Sequence, residues 1–334
     1  MPVHGDYYER YLKRGLRPLD FASNINPFRP RGLEEFLSER VEVIYHYPHN
    51  GYESLVETIS DSMRWDRETI VFGNGSIELI EFFFRVAGRD VAIAQPTFTE
   101  YERFARLHGV RVHDIPWDLE AILEFVEGSR PDALVICNPN NPTGEFMRKR
   151  EVEEVAEVCE KRGVKLMIDQ TFIDFVKPHD VEAFQVRSLT KILGIPGLRF
   201  GYGMFPKEYA RLFHETRLPW NVNTLAKVVA ERYLPLLRPF SRHVRRKIGK
   251  EREHMKKFLR RLGFECGGKA NFLLCRGNLD SGRIFEFLEG RGMLIRRCND
   301  FKGLTSKHFR VAVKKREENR VLLRGLEVLV QEYS

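Results

Sequence analysis

One stretch of this sequence concentrates residues able to do covalent chemistry: Ser188-Leu189-Thr190-Lys191, with Arg199 following in Gly197-Leu198-Arg199-Phe200-Gly201-Tyr202-Gly203. Lys191 lies in a mostly apolar run, and a lysine amine becomes nucleophilic when burial or a neighbouring cation lowers its pKa. The hydroxyls of Ser188 and Thr190 and the guanidinium of Arg199 are suited to hold a dianionic phosphate beside that amine. A phosphate site next to a lysine able to form a Schiff base matches the needs of pyridoxal 5'-phosphate (PLP), which also takes a carboxylate on its pyridine nitrogen. A buried structural lysine between glycine and proline turns would give the same local pattern, so the remaining parts must be found elsewhere in the chain.

Four stretches offer them. Gly73-Asn74-Gly75-Ser76-Ile77-Glu78 follows an expected strand and opens an expected helix, where free N–H groups attract an anion; an ordinary turn capped by Ser76 reads the same way. Gln95-Pro96-Thr97-Phe98 follows another strand, and Phe98 is placed to stack on a flat ring or simply to pack. Cys137-Asn138-Pro139-Asn140-Asn141-Pro142-Thr143-Gly144 lies beyond the carboxyl end of a strand, where α/β sheets place ligands. Its asparagines can donate to a phenolate oxygen. Asp169 ends the apolar run Met167-Ile168-Asp169, and a carboxylate there needs a partner because burying it unpaired is costly. A protonated pyridine nitrogen would be one partner; an N-cap role is the other explanation.

The elements that must position these residues alternate. Strands are expected at Thr69–Phe72, Val91–Ala94, Val110–Ile115, Ala133–Cys137, Lys165–Ile168, Gln185–Leu189 and Phe200–Phe205. Helices are expected at Ser54–Met63, Ser76–Val86, Thr99–Leu107, Leu119–Val126, Glu151–Lys161 and Asn223–Tyr233. This alternation predicts an α/β fold with a mainly parallel central sheet flanked by helices. After residue 260 the pattern changes to strands at Asn271–Cys275, Met293–Arg297 and Phe309–Val313 with helices at Gly282–Leu288 and Glu317–Glu332, a smaller α+β domain. The expected division is an N-terminal arm over 1–30 that joins the small domain, a large domain over 31–235 and a small C-terminal domain over 236–334. The border rests on Pro235 and Pro239.

Composition narrows the function. The 334 residues can bury a large core. No apolar run reaches membrane-spanning length, and Met1-Pro2-Val3-His4-Gly5-Asp6 lacks a signal-peptide pattern, so a cytoplasmic protein is expected. The five cysteines are scattered without C-x-x-C or Cys/His clustering, which argues against a disulfide framework or a metal site. The net charge of +8 is concentrated between Arg238 and Arg261, where apolar residues at helical spacing predict an amphipathic helix with a basic solvated face. No nucleic-acid-binding motif accompanies it.

Taken in order (phosphate turn, aromatic, asparagine loop, aspartate, lysine, arginine), these motifs resemble the fold-type-I PLP enzymes of the class I/II aminotransferase superfamily over nearly the whole chain. The resemblance implies a PLP-dependent transferase fold and assigns roles. Lys191 would form the Schiff base and move protons, and Asp169 would pair with the pyridine nitrogen. Asn141 would meet the phenolic oxygen, and Phe98 would stack on the ring. Gly75, Ser76, Ile77, Ser188, Thr190 and Arg199 would hold the phosphate. Tyr47 resembles a tyrosine that reaches the phosphate from a second subunit, which implies a homodimer. Arg310 in Phe309-Arg310-Val311 matches the arginine that clamps a substrate carboxylate.

Within the superfamily, the chain is similar to histidinol-phosphate aminotransferases in length and loops. Several details resemble more the threonine-phosphate decarboxylases, PLP enzymes of cobalamin side-chain synthesis. These are His4-Gly5, Asp20-Phe21-Ala22-Ser23-Asn24-Ile25-Asn26-Pro27, Phe172-Ile173-Asp174-Phe175, and Leu294-Ile295-Arg296 with Asn299–Leu304 and Arg310. That resemblance implies a small-molecule substrate held by Arg310, Arg296, Asn24 and His4; counting charges, His4 or His46 would serve as a further donor from the arm or a second subunit, and the composition gives no role to nucleic acid or membrane. Asp6, Gln170 and Arg297 depart from that branch, which usually has glycine, glutamate and an acidic residue there.

Overall fold

The computed structural model describes residues 11–13 and 15–333. In chain order its elements are β1 (Leu19–Asp20), α1 (Leu33–Glu39), α2 (Glu53–Met63), β2 (Ile70–Asn74), α3 (Ser76–Val86), β3 (Asp90–Gln95), α4 (Glu100–Leu107), β4 (Arg111–Pro116), α5 (Leu119–Ser129), β5 (Ala133–Cys137), α6 (Lys149–Arg162), β6 (Lys165–Asp169), β7 (Phe184–Ser188), α7 (Leu189–Ile192), β8 (Phe200–Met204), α8 (Lys207–Thr216), α9 (Thr224–Tyr233), α10 (Leu237–Arg261), β9 (Glu265–Gly267), β10 (Phe272–Arg276), α11 (Ser281–Glu289), β11 (Met293–Leu294), β12 (Arg296–Arg297), β13 (His308–Ala312) and α12 (Arg316–Tyr333).

The central sheet has seven strands in the order β2-β8-β7-β6-β5-β3-β4. Strands β7, β6, β5, β3 and β4 run parallel, and β8 runs antiparallel to both of its neighbours. Its middle strands read as unbroken apolar runs because both faces are covered. Alternate residues nevertheless divide cleanly. Val91, Ile93, Ala133, Val135, Cys137 and Met167 pack on the side of α3 and α4. Ala92, Ala94, Leu134, Ile136, Leu166 and Ile168 pack with Ile122 and Val126 of α5 and Val152, Val155 and Cys159 of α6.

A second sheet, β12-β13-β10-β9, is antiparallel throughout. The stretch Met293–Arg297, expected as one strand, is divided at Ile295. Met293 and Leu294 pair in parallel with β1, and Arg296 and Arg297 pair with β13. The chain before residue 30 is thereby tied to the C-terminal elements, and Ala312 N–H also donates to the Phe21 carbonyl at 2.9 Å. The basic stretch forms α10, whose buried Val244, Ile248, Met255 and Leu259 face the core. Pro239 falls in its first turn, where no intrahelical N–H bond is lost. Helix α8 is an addition to the sequence expectation; only Ala210 and Phe213 of it are buried, too few to stand out as a periodic signal. No helix among the described residues is long and apolar enough to cross a membrane.

Candidate active site

The candidate residues gather at the carboxyl ends of β5, β6 and β7, beside the start of α3 and below the second sheet. Strand β7 ends at Ser188, which caps the short α7 by accepting from Thr190 N–H at 3.2 Å. The Ser188 and Thr190 hydroxyls lie 2.7 Å apart, and both residues are buried. Lys191 follows on α7 and keeps partial solvent contact. Its pKa is pushed down to about 8, chiefly by burial, then by the charges of Arg310 and Arg199; Asp20 works in the other direction. A lysine so poised is a proton carrier and nucleophile near neutral pH.

Gly75, Ser76 and Arg199 form one cradle. Gly75 holds φ 78° and ψ 165° directly before α3, a conformation essentially reserved for glycine. A Cβ on it would stand 2.5 Å from Nη2 of Arg199. A Cβ on Gly201 of β8 would stand 2.2 Å from the Ser76 nitrogen, so this glycine lets the helix start approach the sheet. Ser76 Oγ accepts from Thr171 Oγ1 at 3.3 Å, which links the cradle to the turn after Asp169. Ile77 is half-buried against the core beneath α3.

Asp169 ends β6 and is buried. One oxygen accepts from Thr171 N–H at 2.8 Å, the other from Tyr101 Oη at 2.6 Å. Burial raises its pKa, and these two donors oppose the rise. Tyr101 was not among the sequence candidates. It sits on α4 one turn after Phe98, whose half-buried ring meets it edge-on at 5.6 Å. The side chains of Asn138 and Asn140 fix the loop after β5. Asn138 exchanges bonds with the Met147 backbone, and Asn140 bonds Thr97, Pro96 and Thr143. That leaves Asn141 to face the site, where its Oδ1 accepts from Arg310 Nη1.

The second sheet supplies the guanidiniums. Arg310 is buried, donates to the Ala22 carbonyl at 2.9 Å, and has an Nε without a partner among the described residues. Burial first, with help from Arg296, lowers its pKa to about 10. Arg296 is its direct partner across β12 and β13. It is bonded to Asp300 at 2.6 Å and stacked 5.1 Å from the Phe301 ring. Asn24 is buried with its Oδ1 unpaired among the described residues, and its carbonyl accepts from Asn271. Gln170 is structural: it bonds the His179 carbonyl and Arg187. Tyr47 is 81% exposed, its ring 4.8 Å from that of Trp220, and it takes no part in the site within one chain. His46 is exposed as well. His4 lies outside the described residues.

The residues fit PLP. The glycine cradle, helix start and Arg199 suit a phosphate, Asp169 suits a pyridinium, and Lys191 suits a carbonyl carbon. A mainly parallel sheet with this lysine and aspartate at its carboxyl end defines a fold-type-I PLP enzyme. The chain belongs to the class I and II aminotransferase family, whose sequence profile matches residues 19–326, and whose members work with PLP. It is 35% identical to a relative from Caldanaerobacter subterraneus subsp. tengcongensis named for threonine-phosphate decarboxylase, over 93% of this chain and 90% of the relative. It is 31% identical to the threonine-phosphate decarboxylase of Salmonella typhimurium, over 96% and 94%. The histidinol-phosphate aminotransferase structure from Clostridium acetobutylicum superposes with a TM-score of 0.86 at 30% identity, covering 94% of this chain and 99% of that one.

Proposed function

We propose that this protein decarboxylates a small amino acid phosphate, with L-threonine O-3-phosphate as the substrate. The observation that carries this reading is the pairing of Arg296 with Arg310. As direct partners on one ladder they share a face, both are buried, and among the described residues Asp300, bonded to Arg296, and Asp20 offset them. Threonine phosphate brings a phosphate and a carboxylate, one for each guanidinium. Histidinol phosphate lacks the carboxylate and would leave a buried guanidinium without its anion, at a cost of about 3–5 kcal/mol. The similarity to threonine-phosphate decarboxylases supports the same choice. The competing reading is an aminotransferase, favoured by the likeness to the Clostridium acetobutylicum enzyme.

PLP supplies an electron sink for the pair released when a bond to Cα breaks. The chain's residues decide which bond that is. Arg310, fixed by Asn141 and the Ala22 carbonyl, orients the carboxylate; Arg296, with Asn24 and His4, takes the phosphate. An orientation that exposes the bond to the carboxylate favours loss of CO2, whereas one that exposes Cα–H favours transamination. Lys191 Nζ would anchor the cofactor and carry the proton, Asp169 would hold the pyridine nitrogen, Asn141 would offer its N–H₂ to the phenolic oxygen, and Phe98 would stack. Gly75, Ser76, Ile77, Ser188, Thr190 and Arg199 would hold the cofactor phosphate. We assign residues 1–30 to an arm, 31–235 to a PLP-binding domain and 236–334 to a small domain, in a cytoplasmic homodimer completed by Tyr47. The exposed Val41, Ile44, Tyr45, Tyr47, Leu218 and Trp220 support that dimer.

The test mixes holoenzyme with each substrate and measures CO2 and pyridoxamine phosphate. CO2 from threonine phosphate is expected. Rapid pyridoxamine phosphate without CO2 would establish the aminotransferase instead.

A further inference from the structure

We propose that Cys266 and Cys275 are a redox-active pair that closes to a disulfide by exchange with a low-molecular-weight disulfide bearing carboxylates. Nothing in the local sequence announces them, since they stand nine positions apart with no motif between. The antiparallel register of β9 and β10 makes them direct Cα partners, so both side chains project from one face. Direct partners in an antiparallel pair have Cα atoms about 4.5–5.5 Å apart, inside the span of about 4.4–6.8 Å that a disulfide bridges without backbone movement. The two thiols are buried against each other, with their sulfurs 2.7 Å apart.

A route to them exists. A cavity of about 690 Å³ at the end of β9 is lined by both cysteines, by Phe264, and by Arg260, Arg276 and His308. Its only acid is Glu265, which pairs with Arg276 at 3.6 Å. Burial holds His308 neutral near pH 7, so Arg260 supplies the remaining positive charge of the lining, which suits a carboxylate-bearing ligand. Cys266 is the entry point, because it keeps 8% exposure while Cys275 has none. Burial first, then the Cys266 thiol and Cys298, hold the Cys275 thiol protonated.

The exchange balances without further reagents. The Cys266 thiolate attacks one sulfur of the small disulfide; that S–S bond breaks, and the leaving thiolate takes up the proton that Cys266 lost. Cys275 then gives up its proton as its sulfur attacks that of Cys266, and the second small thiol leaves carrying that proton. Two protein thiols are oxidised and one small disulfide is reduced to two thiols. The new bond closes a hairpin whose turn docks on the candidate site. Lys269 N–H donates to the Gly144 carbonyl at 2.6 Å, and Asn271 Nδ2 donates to the Asn24 carbonyl at 3.0 Å.

The test equilibrates reduced holoenzyme with graded ratios of oxidised to reduced glutathione, quenches with N-ethylmaleimide, and maps every cysteine by mass spectrometry. Cys266 and Cys275 are expected to leave the alkylated pool together, to return with dithiothreitol, and to appear as one linked peptide two hydrogens lighter. Cys137, Cys159 and Cys298 should alkylate fully once the protein is denatured. In Cys275→Ser, oxidation should stop at a glutathione adduct on Cys266. The proposal falls if both thiols of the wild-type protein alkylate in full at the most oxidising ratio, if Cys275 links to Cys298 instead, or if the wild-type protein halts at the adduct.

Discussion

Replacing Gly75 by alanine separates the phosphate cradle from the rest of the fold. At φ 78° and ψ 165°, a residue with a Cβ is held in a region essentially open to glycine alone, at a cost of about 1–3 kcal/mol. That strain lowers stability by an amount a chain of this size survives. The second effect is on aim. The new Cβ would stand 2.5 Å from Arg199 Nη2, and the far end of a flexible arginine yields by swinging away. A charge-assisted hydrogen bond is worth about 1.5–3 kcal/mol, so losing it should weaken cofactor binding by roughly 10–150-fold at about 1.4 kcal/mol per tenfold. The assay is a titration of apoprotein with PLP, read by cofactor absorbance, alongside a melting curve. Gly75→Ala should raise Kd by that factor and lower Tm by a few degrees. Arg199→Ala should raise Kd similarly, and the double variant should be no worse than Arg199→Ala, since both changes remove one contact. An unchanged Kd in Gly75→Ala, or additive losses in the double variant, would refute the cradle.

Four further outcomes are expected. Because the folded pKa of Lys191 is about 8, below the lysine value of about 10.4, the unfolded apoprotein holds the extra proton between those limits and stability gains with rising pH across them. Lys191→Met should therefore melt above wild-type apoprotein at pH 7 and lose that advantage by pH 10; a constant offset would remove burial as the cause. Tyr101→Phe deletes the donor to buried Asp169 and should cost about 1.5–3 kcal/mol in urea unfolding of the apoprotein at pH 8; a change within about 0.5 kcal/mol would disconnect the pair. Arg310→Lys cannot reproduce the forked contacts to Asn141 and Ala22, so turnover should drop at least tenfold while PLP affinity holds within about twofold; equal losses in both would place Arg310 on the cofactor. Sedimentation should give twice the 39.2 kDa chain mass, and Trp220→Asp should shift the protein toward monomer; a monomeric wild type would leave Tyr47 without its role.

Much of the central sheet was legible because the middle strands are buried on both faces and read as unbroken apolar runs; β5 and α3 fall at the residues the pattern predicts. What escaped depends on register and distance. Helix α8 buries too little to print a period. Tyr101 stands 68 positions from Asp169, and nothing local says that its hydroxyl reaches that carboxylate. The bond between Arg296 and its i+4 neighbour Asp300 could not be read from spacing, because Asp300 lies outside any regular element, where helical spacing rules say nothing. Asn141 was found by its motif, yet its bond to Arg310 spans 169 positions and joins two sheets. The opposition of Cys266 and Cys275 follows from hairpin register, which turn geometry sets and Cys spacing does not.

The site's electrostatics explain why both sheets are needed. Lys191, Arg199, Arg296 and Arg310 converge from α7, the turn before β8, and β12 and β13, while Asp20 and Asp300 are the acids that answer them. Asp300 is taken by Arg296, and Asp169 at the end of β6 by Tyr101 and Thr171. Burial above all, and then the mutual repulsion that remains, lowers the pKa values of Lys191 and Arg310. Cations pressed together in this way are stabilised by anionic ligands, and each anion that binds should lift the pKa of the lysine beside it. On the proposed assignment, a phosphate at Arg199 would act on Lys191 from the large-sheet side, and a carboxylate at Arg310 would act from the other. A substrate with a second phosphate for Arg296 would complete the neutralisation, whereas one without a carboxylate would leave Arg310 still depressing Lys191. The charge on the amine would then be set jointly by cofactor and substrate, so a doubly anionic amino acid should be accepted in preference to a singly anionic amine even before any difference in the chemical step.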